Sequence, residues 1–391
     1  MKPQSSRNAG LDTLRACAIA LVFMYHYAIN VSQAPTFGVA SEIGWTGVDL
    51  FFVLSGYLIG SQICAALARG RPFSLWQFYG RRALRTLPAF WVVLALYFML
   101  PATMGGNTPP PLWRFLTFTQ NLGLQPGTAF SHAWSLCIEE QFYLVLPVTA
   151  LLLWLTRSIR LAWLTLAALI VCGILARSLL WLRYGADATN YFRFIYYATW
   201  CRFDELLPGV ALAMLQHFHP RQWRRVLHHG NWLLGVGLVA TALVMTLFLT
   251  AHETPAGGFR YPMTAFGYPL LACSFALLTL AALSPHSLLY RLRLPGTRQL
   301  ALWSYAIYLS HKAVLHALAK PLTAAGLDVT ASSGASILTV ASIAAGWLLY
   351  ACVETPFMRL RARWFGAPRP QSVVAHAVPA QRQISAGIPT P

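Results

Sequence analysis

An arginine and a histidine lie eleven residues apart in the first apolar stretch of the chain, where ionisable side chains are rare. The stretch reads LDTLRACAIALVFMYHY and carries Arg15 and His26. Eleven helical residues span about 16 Å, roughly half the hydrocarbon thickness of a bilayer. We therefore expect Arg15 near one membrane face and His26 well toward the other. Because a charge held in lipid is costly, such residues usually mark a transport path or a reaction site.

Other polar residues open the second and fourth apolar runs, GWTGVDLFFVLSGYLIG and SHAWSLCIEEQFYLVLP, and are predicted at the depth of His26. They are Asp49, Trp134, Ser135, Glu139 and Glu140. A carboxylate beside an imidazole fixes its tautomer and raises its basicity, as a general base or a nucleophilic histidine requires. Two alternatives stay open. One is a buried polar cluster that only orients helices, and the other, for Asp49, is a cap on the second helix.

Two arginines are predicted to share one helix face at the level of Arg15. The third helix is predicted to open with FYGRRALRTLP, just ahead of its apolar run, and Arg82 and Arg85 are three residues apart in this stretch. Guanidinium groups at that depth suit a phosphorylated donor, because they bind phosphate bidentately. The alternative is the ordinary positive flank of a membrane helix, which is the interpretation we favour for Arg81.

Ionisable residues also lie inside later apolar runs. The sixth run contains CRFDELLPG, in which Arg202, Asp204 and Glu205 can neutralise one another as an internal ion-pair network. His311 lies near mid-depth of the ninth run and is interpreted as a hydrogen-bonded core histidine. Arg177 is alone in its run, and we expect an acid elsewhere in the chain to pair with it.

The composition excludes an ordinary soluble protein. Of the 391 residues, 57% are hydrophobic and 10% are charged, whereas soluble domains have about 25% charged residues. The net charge of +18 comes mostly from short loops between apolar runs, so it indicates membrane topology and contact with lipid headgroups rather than nucleic-acid binding. The seven cysteines form no CxxC pair, which argues against structural disulfides and a metal site.

Ten apolar runs are long enough to cross a bilayer. They lie at about 11–31, 46–66, 86–101, 135–155, 161–182, 195–215, 231–251, 264–284, 299–319 and 334–353. Arginine and lysine concentrate in alternate loops, beginning with Lys2 and Arg7, which places both termini in the cytoplasm. The predicted fold class is therefore an all-α polytopic membrane protein with about ten transmembrane helices.

The chain divides into one transmembrane domain, residues 1–365, and a cytoplasmic tail, residues 366–391. The tail is rich in Pro, Ala and Gln without periodicity and is predicted to be disordered. The loop at 102–134 is rich in Gly, Pro and Thr. It lies on the outward side of the predicted topology, where we expect it to cover a site from outside.

These motifs resemble the membrane acyltransferase-3 family. The matching stretches are LDTLRACAIALVFMYH, GWTGVDLFFVLSGYLIG, FYGRRALRTLP, WSLCIEEQFYLVLP, SYAIYLSH and a late ETP, in the family's order and over nearly all of 9–357. Members carry acyl groups from cytoplasmic acyl-CoA to acceptors outside the inner membrane. The resemblance implies that Arg15 and His26 are essential for transfer, that Arg82 and Arg85 hold the donor, and that Glu139 is the acid of the fourth-helix motif.

The expected function is that of a multi-pass acyltransferase of the bacterial inner membrane. It is expected to transfer an acyl group other than an aminoacyl group, and acetyl is the acyl group that we favour. Acyl-CoA is the expected donor, with its phosphates against Arg82, Arg85 and Arg15 and with no permanently bound cofactor or metal. A hydroxyl of a surface glycan or lipid-linked sugar is the expected acceptor. His26 would act as base or nucleophile, supported by Glu139 or, as second choice, Asp49. Trp134, Ser135 and Glu140 are expected on the acceptor side. Partners would be these substrates and membrane lipids.

The same residues allow other interpretations. The acceptor could be a hydrophobic small molecule such as a macrolide. A proton-coupled transporter would also hold His, Asp, Glu and Arg inside its spans, although the chain has no inverted-repeat signal. A non-catalytic scaffold is the third class. Some relatives have an appended SGNH-type esterase domain, and no such domain is seen in this sequence. We therefore expect the chain to complete the transfer itself or to pass the acyl group to a separate protein.

Overall fold

The computed structural model of the protein describes residues 8–70 and 72–366. Over these ranges the chain is helical and contains no β-strand, only two isolated bridges. The predicted all-α polytopic fold class is therefore confirmed. Lys2, Arg7 and the predicted tail at 366–391, except Gly366, lie outside the described residues.

The long helices follow one another along the chain. They are α1 (Ala9–Tyr27), α2 (Thr46–Ala68), α3 (Leu75–Met99), α4 (Trp134–Leu155), α5 (Ile159–Tyr184), α6 (Leu207–Phe218), α7 (Gly230–Ala251), α8 (Tyr268–Leu283), α9 (Thr297–Ala324), α10 (Ser332–Leu349) and α11 (Thr355–Phe365). Short helices in the connections are Val39–Ile43, Pro101–Met104, Leu112–Leu116, Ala188–Tyr191, Thr199–Arg202, Pro220–His228 and Leu288–Arg291. Tighter or wider helical turns are Ala28–Ser32, Ser131–Ala133, Phe192–Tyr196, Phe203–Leu206, Met263–Gly267 and Tyr350–Glu354.

Within the described ranges, 8 helical stretches are long and apolar enough to cross a membrane, and they coincide with eight of the ten predicted runs. The sixth predicted run is broken into a wide turn, a short helix and a tight turn before α6 begins at Leu207. The ninth run is α9, a single helix of 28 residues in which Arg298, Lys312 and Lys320 lower the mean hydropathy. The total of ten crossings and the side of each terminus remain predictions.

The third predicted run begins earlier than its apolar residues suggest. α3 begins at Leu75 because the Ser74 side chain caps it, with Oγ accepting a hydrogen bond from the Gln77 amide at 3.3 Å. The extension adds eleven residues ahead of position 86. Arg82 and Arg85 are therefore held on a rigid helix and not in a flexible flank.

α2 lies at the centre of the bundle, and its small residues let α6 approach it closely. A Cβ atom built on Gly56 would lie 2.0 Å from the Leu206 carbonyl oxygen, and one on Gly209 would lie 2.1 Å from that of Val53. Backbone therefore meets backbone, which is the usual role of small residues between membrane helices. By contrast, only 6% of the most apolar window of α5 is buried, so this helix presents its apolar surface to lipid.

Buried ion pairs tie the broken sixth segment to its neighbours. Arg177 of α5 donates to both carboxylate oxygens of Asp204, at 2.7 and 2.8 Å. Arg202 donates to Asp49 of α2 at 2.8 Å and also pairs with Glu205. The side chains in these pairs are fully buried. The predicted pairing within the segment is therefore confirmed for Arg202 and Glu205. Asp204 pairs with Arg177 instead, and it is the acid that we expected to find for Arg177.

Candidate active site

A cavity of about 1000 Å³ runs between α1, α2, α3, α4, α9 and α11. Its lining follows α2 from Val48 to Arg69, a helical distance of about 30 Å, which is close to the hydrocarbon thickness of a bilayer. One part of the wall is rich in guanidinium groups: Arg15, Arg69, Arg81, Arg82, Arg85 and Arg361. The cavity can therefore hold a long ligand that is anionic at one end.

Acidic residues of α4 line the same cavity and face the arginines. Arg82 Nη2 donates to Glu140 Oε1 at 3.1 Å, and its guanidinium lies 3.4 Å from the ring centre of Tyr143. Glu139 Oε1 accepts a hydrogen bond from Ser55 Oγ at 2.9 Å. Arg82 is thus held in place by a carboxylate and an aromatic ring, while its Nε is buried without a hydrogen-bond partner among the described residues.

His26 forms a hydrogen bond with a second histidine. His26 Nδ1 and His311 Nε2 are 2.9 Å apart, and His311 Nδ1 is 2.9 Å from the carbonyl oxygen of Ile307. A carbonyl only accepts, so His311 Nδ1 carries its proton and Nε2 of the neutral ring is an acceptor. His26 Nδ1 must then be the donor. This leaves His26 Nε2 with a lone pair, as a base or nucleophile requires.

A third imidazole, His132, completes the cluster. Its ring centre lies 5.9 Å from that of His26 and 5.3 Å from that of His311. Its Nε2 lies 3.4 Å from the Leu309 carbonyl oxygen, whereas its Nδ1 is buried and, within the described ranges, has no partner. His132 was absent from the sequence-based candidates, although it lies in the stretch SHAWSLCIEEQFYLVLP that opens the fourth apolar run. No group of three or more potential ligands in the described residues is placed to hold a metal ion.

The loop predicted to cover the site supplies His132. Phe130 adopts a φ of 57°, in the left-handed region that non-glycine residues rarely occupy. Its ring stacks on Tyr97, with centroids 4.6 Å apart, and on Phe115 at 5.9 Å. These contacts anchor the short turn Ser131–Ala133, and with it the third imidazole.

Tyr308 connects the cavity with the histidine cluster. Its hydroxyl donates to the carbonyl oxygen of His132 and therefore accepts from Ser135 Oγ, 2.6 Å away. Tyr308 and Ser135 both line the cavity, and the Tyr308 ring centre is 5.6 Å from His132 and 6.1 Å from His311. The cavity thus includes a tyrosine that contacts His132 and His311, and His311 in turn bonds to His26, although none of the three histidines is among the lining residues.

The structure brings some predicted site residues together and separates others. Those that line the cavity are Arg15, Arg82, Arg85, Ser135, Glu139 and Glu140. The expected carboxylate partners of His26 are bonded elsewhere, Asp49 to Arg202 and Glu139 to Ser55. Trp134 is buried, and its ring centre lies 5.1 Å from the Arg202 guanidinium. The predicted contact between His26 and a carboxylate is therefore wrong, because the face of α1 that carries His26 meets α9.

Comparison with known proteins gives a consistent picture. The sequence profile of a family described as an acyltransferase domain matches residues 8–351. The peptidoglycan O-acetyltransferase OatA of Listeria monocytogenes is 29% identical over 383 residues, with 89% of this chain and 55% of that protein covered. YrhL of Bacillus subtilis is 30% identical over 338 residues, with 78% of this chain and 48% of that protein covered.

The O-acetyltransferase OatA of Staphylococcus aureus is 26% identical over 335 residues, with 78% of this chain and 50% of that protein covered. The chain therefore spans about half the length of these curated relatives. No solved structure matches the chain.

Proposed function

The chain belongs to the acyltransferase domain family, and from this premise we propose that it moves an acetyl group across a bacterial inner membrane. The donor is acetyl-CoA on the cytoplasmic side, and the acceptor is a hydroxyl of a cell-wall glycan or its lipid-linked precursor on the outer side. The relatives named as peptidoglycan O-acetyltransferases support a glycan acceptor. The observation that carries the proposal is the hydrogen bond between His26 Nδ1 and His311 Nε2.

The cavity supports a coenzyme A thioester as the donor. Its arginine-rich part offers bidentate partners for phosphate groups, and Arg15, Arg82 and Arg85 all belong to it. The lining of about 30 Å along α2 leaves room for a long arm that reaches Ser135 and Tyr308. The thioester would then lie next to the histidine cluster, while the nucleotide stays with the arginines.

The chemistry centres on His26 Nε2. The acceptor hydroxyl oxygen attacks the thioester carbonyl carbon while its proton moves to Nε2. The C–S bond breaks, and the CoA thiolate recovers the proton, so an ester and the free thiol are formed. His311 accepts the Nδ1 hydrogen bond throughout, which keeps the reactive nitrogen aimed away from α9. A two-step route, in which Nε2 takes the acetyl group and then passes it to the hydroxyl, uses the same nitrogen.

Radiolabelled acetyl-CoA and purified protein in lipid nanodiscs test this function. With a lipid-linked disaccharide present, we expect label in the saccharide and one free CoA thiol for each ester formed. His26→Ala should lower the rate by about 10²- to 10⁴-fold, whereas His286→Ala, a change in an exposed loop, should leave it unchanged. If the wild-type protein left all of the acetyl-CoA thioester intact and instead took up a solute together with protons, it would be a transporter.

A further inference from the structure

A second set of arginines faces the cavity from two helices that are far apart in sequence. Arg81 and Arg85 lie near the start of α3, and Arg361 lies on α11. All three line the cavity, and the Arg361 charge is repelled by those of Arg85 and Arg81. The neighbouring arginines of α11, Arg359 and Arg363, are exposed and do not line it.

The carboxylates nearby do not balance this charge. Glu140 is engaged by Arg82, and Glu354 attracts Arg85. Guanidinium groups stay protonated in proteins, so three of them against one carboxylate leave an excess positive charge in a partly enclosed space. Arg85 is exposed and Arg81 and Arg361 are half-buried, so an anion bound between them would be attracted by all three charges. Arg81 Nε is also buried without a hydrogen-bond partner in the described part of the chain.

Contacts fix α11 against α3 and therefore fix the position of Arg361. Arg81 Nη2 donates to the carbonyl oxygen of Phe365. The Phe365 ring packs on Gly80, where a built Cβ atom would lie 2.4 Å from it. A residue larger than glycine at position 80 would require the Phe365 ring to move. α11 is thus a wall of the cavity.

We propose that Arg81, Arg85 and Arg361 together bind a phosphate group of the nucleotide part of the donor. This rests on the proposed function, since it takes coenzyme A as the donor. Forked guanidinium groups from two helices surround a phosphate better than one helix face can. Two phosphate sources share this chemistry, the monoester at the ribose and the pyrophosphate. The site also makes donor binding depend on the seating of α11.

Calorimetric titration of the full chain in nanodiscs tests the site. We expect Arg361→Gln to weaken CoA binding by about 10- to 100-fold, as the loss of a charged hydrogen-bonding partner predicts. Arg359→Gln, the matched control on the same helix, should bind CoA as the wild type does. Arg85→Gln should behave as Arg361→Gln, and a thermal melt of each variant checks that it remains folded.

Dephospho-CoA distinguishes the two phosphate sources. If the monoester is bound, wild-type protein binds dephospho-CoA weakly and Arg361→Gln makes little further difference. If the pyrophosphate is bound, Arg361→Gln weakens both ligands equally. Either result supports the site. The phosphate site would be overturned if a folded Arg361→Gln variant bound CoA as tightly as the wild type, or if Arg359→Gln lost as much affinity as Arg361→Gln. Neither result would contradict CoA as the donor. A wild-type protein that binds no CoA would overturn the proposed donor itself.

Discussion

His26 owes the free lone pair on Nε2 to a residue 285 positions away in the sequence. Its partner, His311, is itself fixed by the Ile307 carbonyl at 2.9 Å. An imidazole partner is neutral, so the pair adds no net charge to a buried site where an unpaired charge is costly. A carboxylate partner would stabilise imidazolium more strongly but would bury a negative charge before the substrates arrive. We infer that His26 stays neutral until the acceptor gives up its proton.

The role of His311 can be tested by two replacements. Gln places an oxygen acceptor near the position of Nε2, whereas Phe fills a similar volume without an acceptor. We expect His311→Gln to retain much of the activity and His311→Phe to lose about 10²-fold in kcat, with little change in the KM for acetyl-CoA. In ¹⁵N-histidine NMR spectra, His311→Phe should also shift the His26 signals away from the Nδ1–H tautomer. Equal activity of the two variants would argue against orientation by this hydrogen bond.

Among the helices, the contact between α2 and α6 depends on glycine. Gly56→Ala would force a methyl group to 2.0 Å from the Leu206 carbonyl oxygen, so the two helices must separate. We expect a loss of about 1–3 kcal/mol in the free energy of unfolding, seen as a lower Tm in detergent. Gly235→Ala in α7 is the control, because no atom lies within 4 Å of its built Cβ. It should leave Tm unchanged or raise it, since alanine favours helix; a fall as large as that of Gly56→Ala would refute the packing argument.

A second prediction about the helices concerns the ion pair between α5 and the broken sixth segment. Asp204→Asn leaves the Arg177 charge buried without its carboxylate, and we expect a loss of about 3–5 kcal/mol in stability. The double variant Arg177→Met with Asp204→Leu removes both charges and should recover most of that stability. Glu42→Gln, on an exposed side chain, serves as control. A double variant no more stable than Asp204→Asn would show that the pair does more than neutralise charge.

For the whole molecule, the central question is whether the broken sixth segment and α9 cross the membrane. With ten crossings, the loop at 102–134 is outside and the helix Pro220–His228 is cytoplasmic. We expect Thr108→Cys to react with a membrane-impermeant maleimide on intact cells and Gln222→Cys to react only after permeabilisation. Both changes are made in a variant whose seven cysteines are replaced by alanine. Labelling of Gln222→Cys from outside would mean that the broken segment does not cross.

The sequence by itself determined the class of the molecule. Hydropathy and the placement of basic loops are properties of contiguous segments, so they predicted the helices without knowledge of their contacts. The ordered motifs also pointed to the acyltransferase family, and the spacing of Arg82 and Arg85 predicted two guanidinium groups on one face. Those two arginines and Arg15 do line one cavity.

Only the tertiary structure decided which partners these residues have. A helix that is apolar on nearly every side, such as α2, has no polar stripe to show which face meets which neighbour. For that reason the sequence could not reveal that His26 pairs with His311, that Asp49 belongs to Arg202, or that α11 turns Arg361 into the cavity. His132 lay in a turn, where periodicity gives no direction. The contacts that make the site join residues far apart in sequence, and they exist only once the helices have packed.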